Sequence, residues 1–172
     1  MKAPVKVLRF KTWEISNYGD ETIVFPAAEV NSGMTFNFFN CLKTKIVIEG
    51  RCKNIMLSRC KKVHLTMEDA MSQAEIMKCE DMKFKVLKKC PTISVDLCNG
   101  VVIEATDESK RKMNITTTAS QSVSMNFPKN AGSFDPNDEE ADPNKQAVIP
   151  ETYLSKLNDK DELTIEPQLG ID

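Results

Sequence analysis

The chain contains one histidine, no Cys-x-x-Cys pair, no glycine-rich phosphate loop and no run of roughly 18 apolar residues. Each absence removes a class of function. A Ser/His/Asp site would have to assemble around His64 alone, with no obvious carboxylate or nucleophile beside it. The commonest zinc-ligand spacing is missing. No membrane span is expected, and residues 1–13 lack the apolar core of a signal peptide. A cytoplasmic location follows as an expectation. There the six cysteines stay reduced, and Asn114-Ile115-Thr116, a glycosylation acceptor by pattern, is inert. A net charge of -2 argues against a dedicated nucleic-acid binder.

What the chain does have is a metre. Cysteines stand at Cys41, Cys60, Cys79 and Cys98, a constant step of 19 residues. Cys52 and Cys90 lie two steps apart with Met71 halfway, a second soft apolar column. Self-similarity at this length means stacked structural units. Five residues after each ladder cysteine come Ile46, Leu65, Phe84 and Ile103; seven after come Ile48, Met67, Val86 and Ala105. Lys45, His64 and Lys83 alternate with them, a period of two that marks a half-buried strand. A second strand per unit carries Phe36 and Phe38, Ile55 and Leu57, Ala74 and Ile76, then Ile93 and Val95. One inserted residue would make Met113 and Ile115 the next pair. Turn formers separate the strands at Gly50, Asp69, Asp107, residues 31–33, Asn54 and Asn99-Gly100.

Two strands in 19 residues leave no room for a helix, so the expected fold is all-β: a parallel β-helix of about six coils. Aromatic Phe25, Phe36, Phe38 and Phe39 gather where the first coils need a plug. Composition divides the chain into the β-helix over residues 1–128, an acidic Pro/Asn/Asp-rich loop over 129–150, and a hairpin with its tail over 151–172. The hairpin's two alternating runs flank Asn158-Asp159-Lys160-Asp161. Such a hairpin needs a surface to pair with.

Charge is uneven along the chain. Cys41 to Cys90 holds twelve Lys or Arg against six Asp or Glu, while residues 135–172 hold three against eleven. A basic body suits an acidic partner, although a charge run also reads as a solvated face. Stacked one per coil, the ladder cysteines would spread over roughly 14 Å, too far for one tetrahedral metal ion. They read as small buried hydrophobes. Paired carboxylates for acid and base roles do not emerge on either outward face. No catalytic residue, cofactor or metal is therefore expected. What remains is surface: rows Lys45, His64, Lys83, Val102 and Val47, Thr66, Lys85, Glu104 on one strand, then Met56, Glu75, Ser94 and Ser58, Met77, Asp96 on the other.

Phe39-Asn40-Cys41, Ile48 with Gly50 and a following base, Cys60-Lys61-Lys62 and Pro91-Thr92-Ile93-Ser94 closely resemble the C-terminal domain of cyclase-associated protein. The likeness runs from Lys11-Thr12-Trp13 to the terminal hairpin. It implies a right-handed β-helix that binds monomeric actin, prefers the ADP form, and promotes nucleotide exchange or sequesters monomers. It also implies a strand-swapped homodimer in which the hairpin, with Tyr153, Leu154, Leu157, Leu163 and Ile165, pairs with the partner's coils. Matching positions for actin contact are Lys61, Lys62, Thr92 and Ser94, with Leu169, Gly170, Ile171 and Asp172 near the bound actin. A second resemblance in fold is to tubulin-folding cofactor C, which stimulates GTP hydrolysis with an outward arginine. Arg51 and Arg59 lie near turns, but the surrounding pattern of that family is absent.

Overall fold

Strict apolar alternation repeated every 19 residues favours strands that stack like on like, because no single coil buries enough surface to offset the entropy of ordering it. The computed structural model describes residues 2–128, 144–149 and 153–167, and it is a β-solenoid of six coils. Each coil gives one strand segment to each of two sheets. The first sheet stacks β2 (Thr12–Ser16), β4 (Thr35–Phe39), the later half of β5 (Lys45–Ser58), the later half of β6 (His64–Met77), β8 (Thr92–Asp96) and β10 (Asn114–Thr118). The second stacks β3 (Thr22–Phe25), the early halves of β5 and β6, β7 (Glu80–Lys89), β9 (Asn99–Ala105) and β11 (Gln121–Pro128). All these neighbours are parallel.

Inside, the columns run as the repeat requires. Ile46, Leu65, Phe84 and Ile103 are in register and buried, as are Ile55, Ala74 and Ile93. At the N-terminal end Trp13, Phe25, Phe36 and Phe38 form the plug, with Phe25 and Phe36 edge to face at 4.8 Å between ring centres. A hairpin of β1 (Val5–Arg9) with β2 caps this end and lays Lys6 Nζ 4.8 Å from the Phe25 ring.

Several expectations need correction. Phe39 faces outward, 46% exposed, rather than joining the plug. The second soft column is broken: a register shift sets Cys52 beside Ala70, so Met71 points to solvent. Gly50, Asp69 and Asn54 lie within strands rather than between them; β5 turns the corner without stopping, with Gly50 at φ 80°. The insertion before β10 is three residues, not one. Thr92 pairs with Asn114, so Ile93 stacks on Ile115 and Val95 on Thr117, while Met113 is buried in the loop before them. Within segment 129–150, β12 (Asn144–Ile149) pairs antiparallel with β11. Its Ile149 is buried, which composition alone concealed. The expected hairpin forms from β13 (Tyr153–Leu157) and β14 (Leu163–Pro167), and β13 adds antiparallel to β10.

Candidate functional site

Between the first and second sheet every coil turns through a four-residue corner at 17–20, 40–43, 59–62, 78–81, 97–100 and 119–122. The first and last residues of each corner are left-handed: Asn17, Asn40, Arg59, Lys78, Leu97 and Ala119, then Asp20, Lys43, Lys62, Asp81, Gly100 and Ser122. That conformation costs a non-glycine residue roughly 1–2 kcal/mol. Hydrogen bonds to the next coil offset the cost, as in Arg59 N–H to Met77 O at 3.1 Å and Lys62 N–H to Glu80 O at 3.0 Å. The ladder cysteines fill the inside of the corner. Cys60 N–H donates to Cys79 Sγ at 3.4 Å and Cys79 N–H to Cys98 Sγ at 3.5 Å; Ser120 Oγ takes the same role for Cys98 N–H at 3.1 Å.

Each ladder sulfur in turn donates to a backbone carbonyl, Cys79 Sγ to Met77 O at 3.2 Å among them, so the column is a stack of neutral thiols. Hydrogen bonding to ladder neighbours and burial push Cys60 and Cys98 up. Burial pushes Cys52 and Cys90 up to about 12. Among the described residues no group of three or more His, Cys, Asp or Glu could hold a metal ion.

Outside, the corner is basic. Lys43, Arg59, Lys61, Lys62 and Lys78 are all exposed. Lys61 and Lys78 border a shallow groove of about 370 Å³ with Asn40, Leu42, Arg59 and Glu80. Lys61 reaches Glu80 at 3.1 Å, but both side chains are about half exposed, so the pair adds little stability. The band continues onto the second sheet as Lys45, His64 and Lys83, which are in register. The first sheet differs in kind. Its outward residues include Glu14, Glu75 and Asp96 and no Lys or Arg. Asn37 Oδ1 and Asn54 Oδ1 on adjacent strands have no hydrogen-bond donor.

The four expected body contacts therefore fall in two places. Lys61 and Lys62 sit on the basic corner. Thr92 and Ser94 lie half-buried on the outer face of β8, with Ser94 accepting from Thr116 Oγ1 at 3.2 Å. Thr92 starts its strand at the far corner, so a five-residue strand, roughly 17 Å, separates it from the basic corner. Leu169, Gly170, Ile171 and Asp172 lie outside the described residues. In the hairpin Leu157 is buried, Leu163 packs on the core and Ile165 is exposed; for Tyr153 and Leu154 the structure describes the backbone, paired with β14. Arg51 Nε is bonded to Asp69 at 2.9 Å and Arg59 lies over the Phe39 ring, so both arginines are engaged.

Residues 2–168 match the family described as Adenylate cyclase associated (CAP) C terminal. The chain belongs to that family. Similar curated proteins include an adenylyl cyclase-associated protein of Schizosaccharomyces pombe, 29% identical over 95% of this chain and 28% of its own length. One from Dictyostelium discoideum is 29% identical over 76% of this chain and 26% of its length. Human adenylyl cyclase-associated protein 1 is 27% identical over 74% and 26%. The chain thus spans little more than a quarter of these relatives. In fold it is similar to a crystal structure of cyclase-associated protein from Cryptosporidium parvum, with a TM-score of 0.75, 23% identity, and coverage of 98% of this chain and 97% of that one.

Proposed function

We propose that this chain binds monomeric actin, prefers the ADP-bound form, and promotes nucleotide exchange or holds monomers out of assembly. The match to the CAP C-terminal family over residues 2–168 carries the reading. The surface supports it physically: a rigid stack of sheets, a basic corner at Lys43, Arg59, Lys61, Lys62 and Lys78, and an outer sheet without cations. A basic band steers an acidic partner, and a pre-ordered flat face loses little entropy on docking. Lys61 and Lys62 act as the charged contact, Thr92 and Ser94 as hydrogen-bonding contacts, and 169–172 as the tail contact. No covalent step is needed. A protein that binds the nucleotide-open form of its partner more tightly raises that population by the ratio of the two affinities.

The hairpin serves as the means of dimerisation. A second copy's β13 would take the edge of β10 that the chain's own β13 covers here. The working location is the cytoplasm, where actin monomers are. Among the described residues no helix is long and apolar enough to cross a membrane. The test is a titration of labelled ADP-actin and ATP-actin with the full chain. Tighter binding to ADP-actin is expected, and Lys61→Glu with Lys62→Glu should weaken it; absence of binding to either form would end the proposal.

A further inference from the structure

The 19-residue metre fails at one place among the described coils. Partners in β8 and β10, and in β9 and β11, stand 22 residues apart, and the extra residues fall in the loop 106–113. That loop is braced. Thr106 and Ser109 bond each other, Thr106 N–H to Ser109 Oγ at 2.9 Å, and their hydroxyls donate to Leu87 O and Val86 O at 2.6 Å each. The brace sets Lys110 with its ammonium inward, 1% exposed, a costly place for a cation unless opposite charge meets it.

The hairpin turn meets it. Lys110 Nζ donates to Asp161 Oδ2 at 3.1 Å, with Asp107 Oδ1 at 3.1 Å and Pro128 O at 2.8 Å beside it. Arg111 pairs with the other carboxylate oxygen of Asp161 and donates to Asn158 O at 3.2 Å and Asp159 O at 3.3 Å. The turn arrives shaped for this contact. Asn158 Oδ1 accepts from Lys160 N–H and Glu162 N–H at 2.9 Å each, and Asp161 is left-handed and buried.

Main-chain pairing at the β10 edge is blind to sequence, so any extended segment could add there. The geometry points to loop 106–113 as a charge-lined socket that selects the strand added to β10 by reading the Asp161 carboxylate, with Lys110 and Arg111 as its specificity-determining residues. Resting on the reading that hairpins exchange, the partner the socket admits is the turn of a second copy of this chain. The repeat breaks its period because the last described coil must recognise its own terminal hairpin rather than accept whatever strand comes.

Hydrogen exchange of the full chain tests this. Lys110→Met and Asp161→Asn should each lower protection of β13 amides at least tenfold, while amides of β5, β6 and β7 stay unchanged. The double variant should lose at least tenfold less than the product of the two, because it leaves no unpaired buried cation. Unchanged β13 protection in both single variants, or independent losses in the double, would overturn the socket. Dilution addresses the partner separately. Protection of β13 that falls with protein concentration supports a second copy; concentration-independent protection, with the coupling intact, overturns the second copy as partner and leaves the socket standing.

Discussion

Replacing Cys79 by Ala and by Ser separates two roles for the cysteine ladder, packing and hydrogen bonding. Cys79 Sγ accepts from Cys60 N–H at 3.4 Å and donates to Met77 O at 3.2 Å and Leu57 O at 3.6 Å. Met77 O keeps Arg59 N–H in the alanine variant, but Cys60 N–H loses its acceptor inside the coil stack. An orphaned buried N–H costs about 1–3 kcal/mol, and losing the packed sulfur adds to it. A total of about 2–4 kcal/mol corresponds to a fall in Tm of about 5–12 °C for a chain of this size. Serine should behave otherwise. In the last described coil Ser120 Oγ already accepts from Cys98 N–H at 3.1 Å and donates to Val95 O at 3.0 Å and Thr118 O at 3.1 Å. Cys79→Ser should therefore lie within about 1 kcal/mol of the parent. The assay is thermal and urea unfolding of all three proteins side by side. Alanine as stable as cysteine, or serine as damaging as alanine, would refute the hydrogen-bonding role and leave only packing.

Other outcomes follow from the same coordinates. Ile76→Ala, in the middle of a fully buried column, should cost about 2–5 kcal/mol in urea unfolding, since neighbouring coils cannot close the gap. Glu68 is held below the usual carboxylate range by Lys88 Nζ at 2.6 Å and then by Gly50 N–H at 2.7 Å. Its contribution is fully present above the unfolded carboxyl value of about 4.3 and disappears as pH falls through the lower folded value. Glu68→Gln should flatten that part of the acid limb in urea midpoints taken from about pH 6 down to 2, and an unchanged limb would contradict the assignment. Lys61→Ala should change stability by less than about 1 kcal/mol, because its ion pair is exposed, yet slow association with actin and reduce its salt dependence in stopped-flow mixing. Deleting residues 158–172 should give a monomer by sedimentation; an unchanged dimer would exclude the hairpin as the interface.

The coil interior could be read from the chain because parallel stacking places equivalent residues over one another. Ile46, Leu65, Phe84 and Ile103 share a column for the same reason they share a spacing. The corners were hidden. Left-handed residues usually announce themselves as glycine, but here Arg59, Lys78, Leu97 and Ala119 hold that conformation, and Gly100 alone among the corner ends gives the usual sign. Lys61 and Lys62 were found through family likeness, whereas their joining with Lys43, Arg59 and Lys78 into one band needed the corner geometry. Lys110 reads as a surface residue in any composition; only the loop that turns it inward makes it a buried cation. The 22-residue step was the available signal, obscured because Met113 and Ile115 also make a plausible apolar pair. Strand β12 escaped because its neighbourhood is rich in Asp, Asn and Pro.

The central claim is that this fold favours a nucleotide-open actin monomer without chemistry of its own. Release of a fluorescent nucleotide from ADP-actin, followed after mixing with excess unlabelled ATP, measures it directly. The account predicts release that accelerates with added protein and saturates, with Lys61→Glu and Lys62→Glu shifting the saturation to higher concentration. A release rate unchanged by the chain, with no binding in the parallel titration, would contradict it.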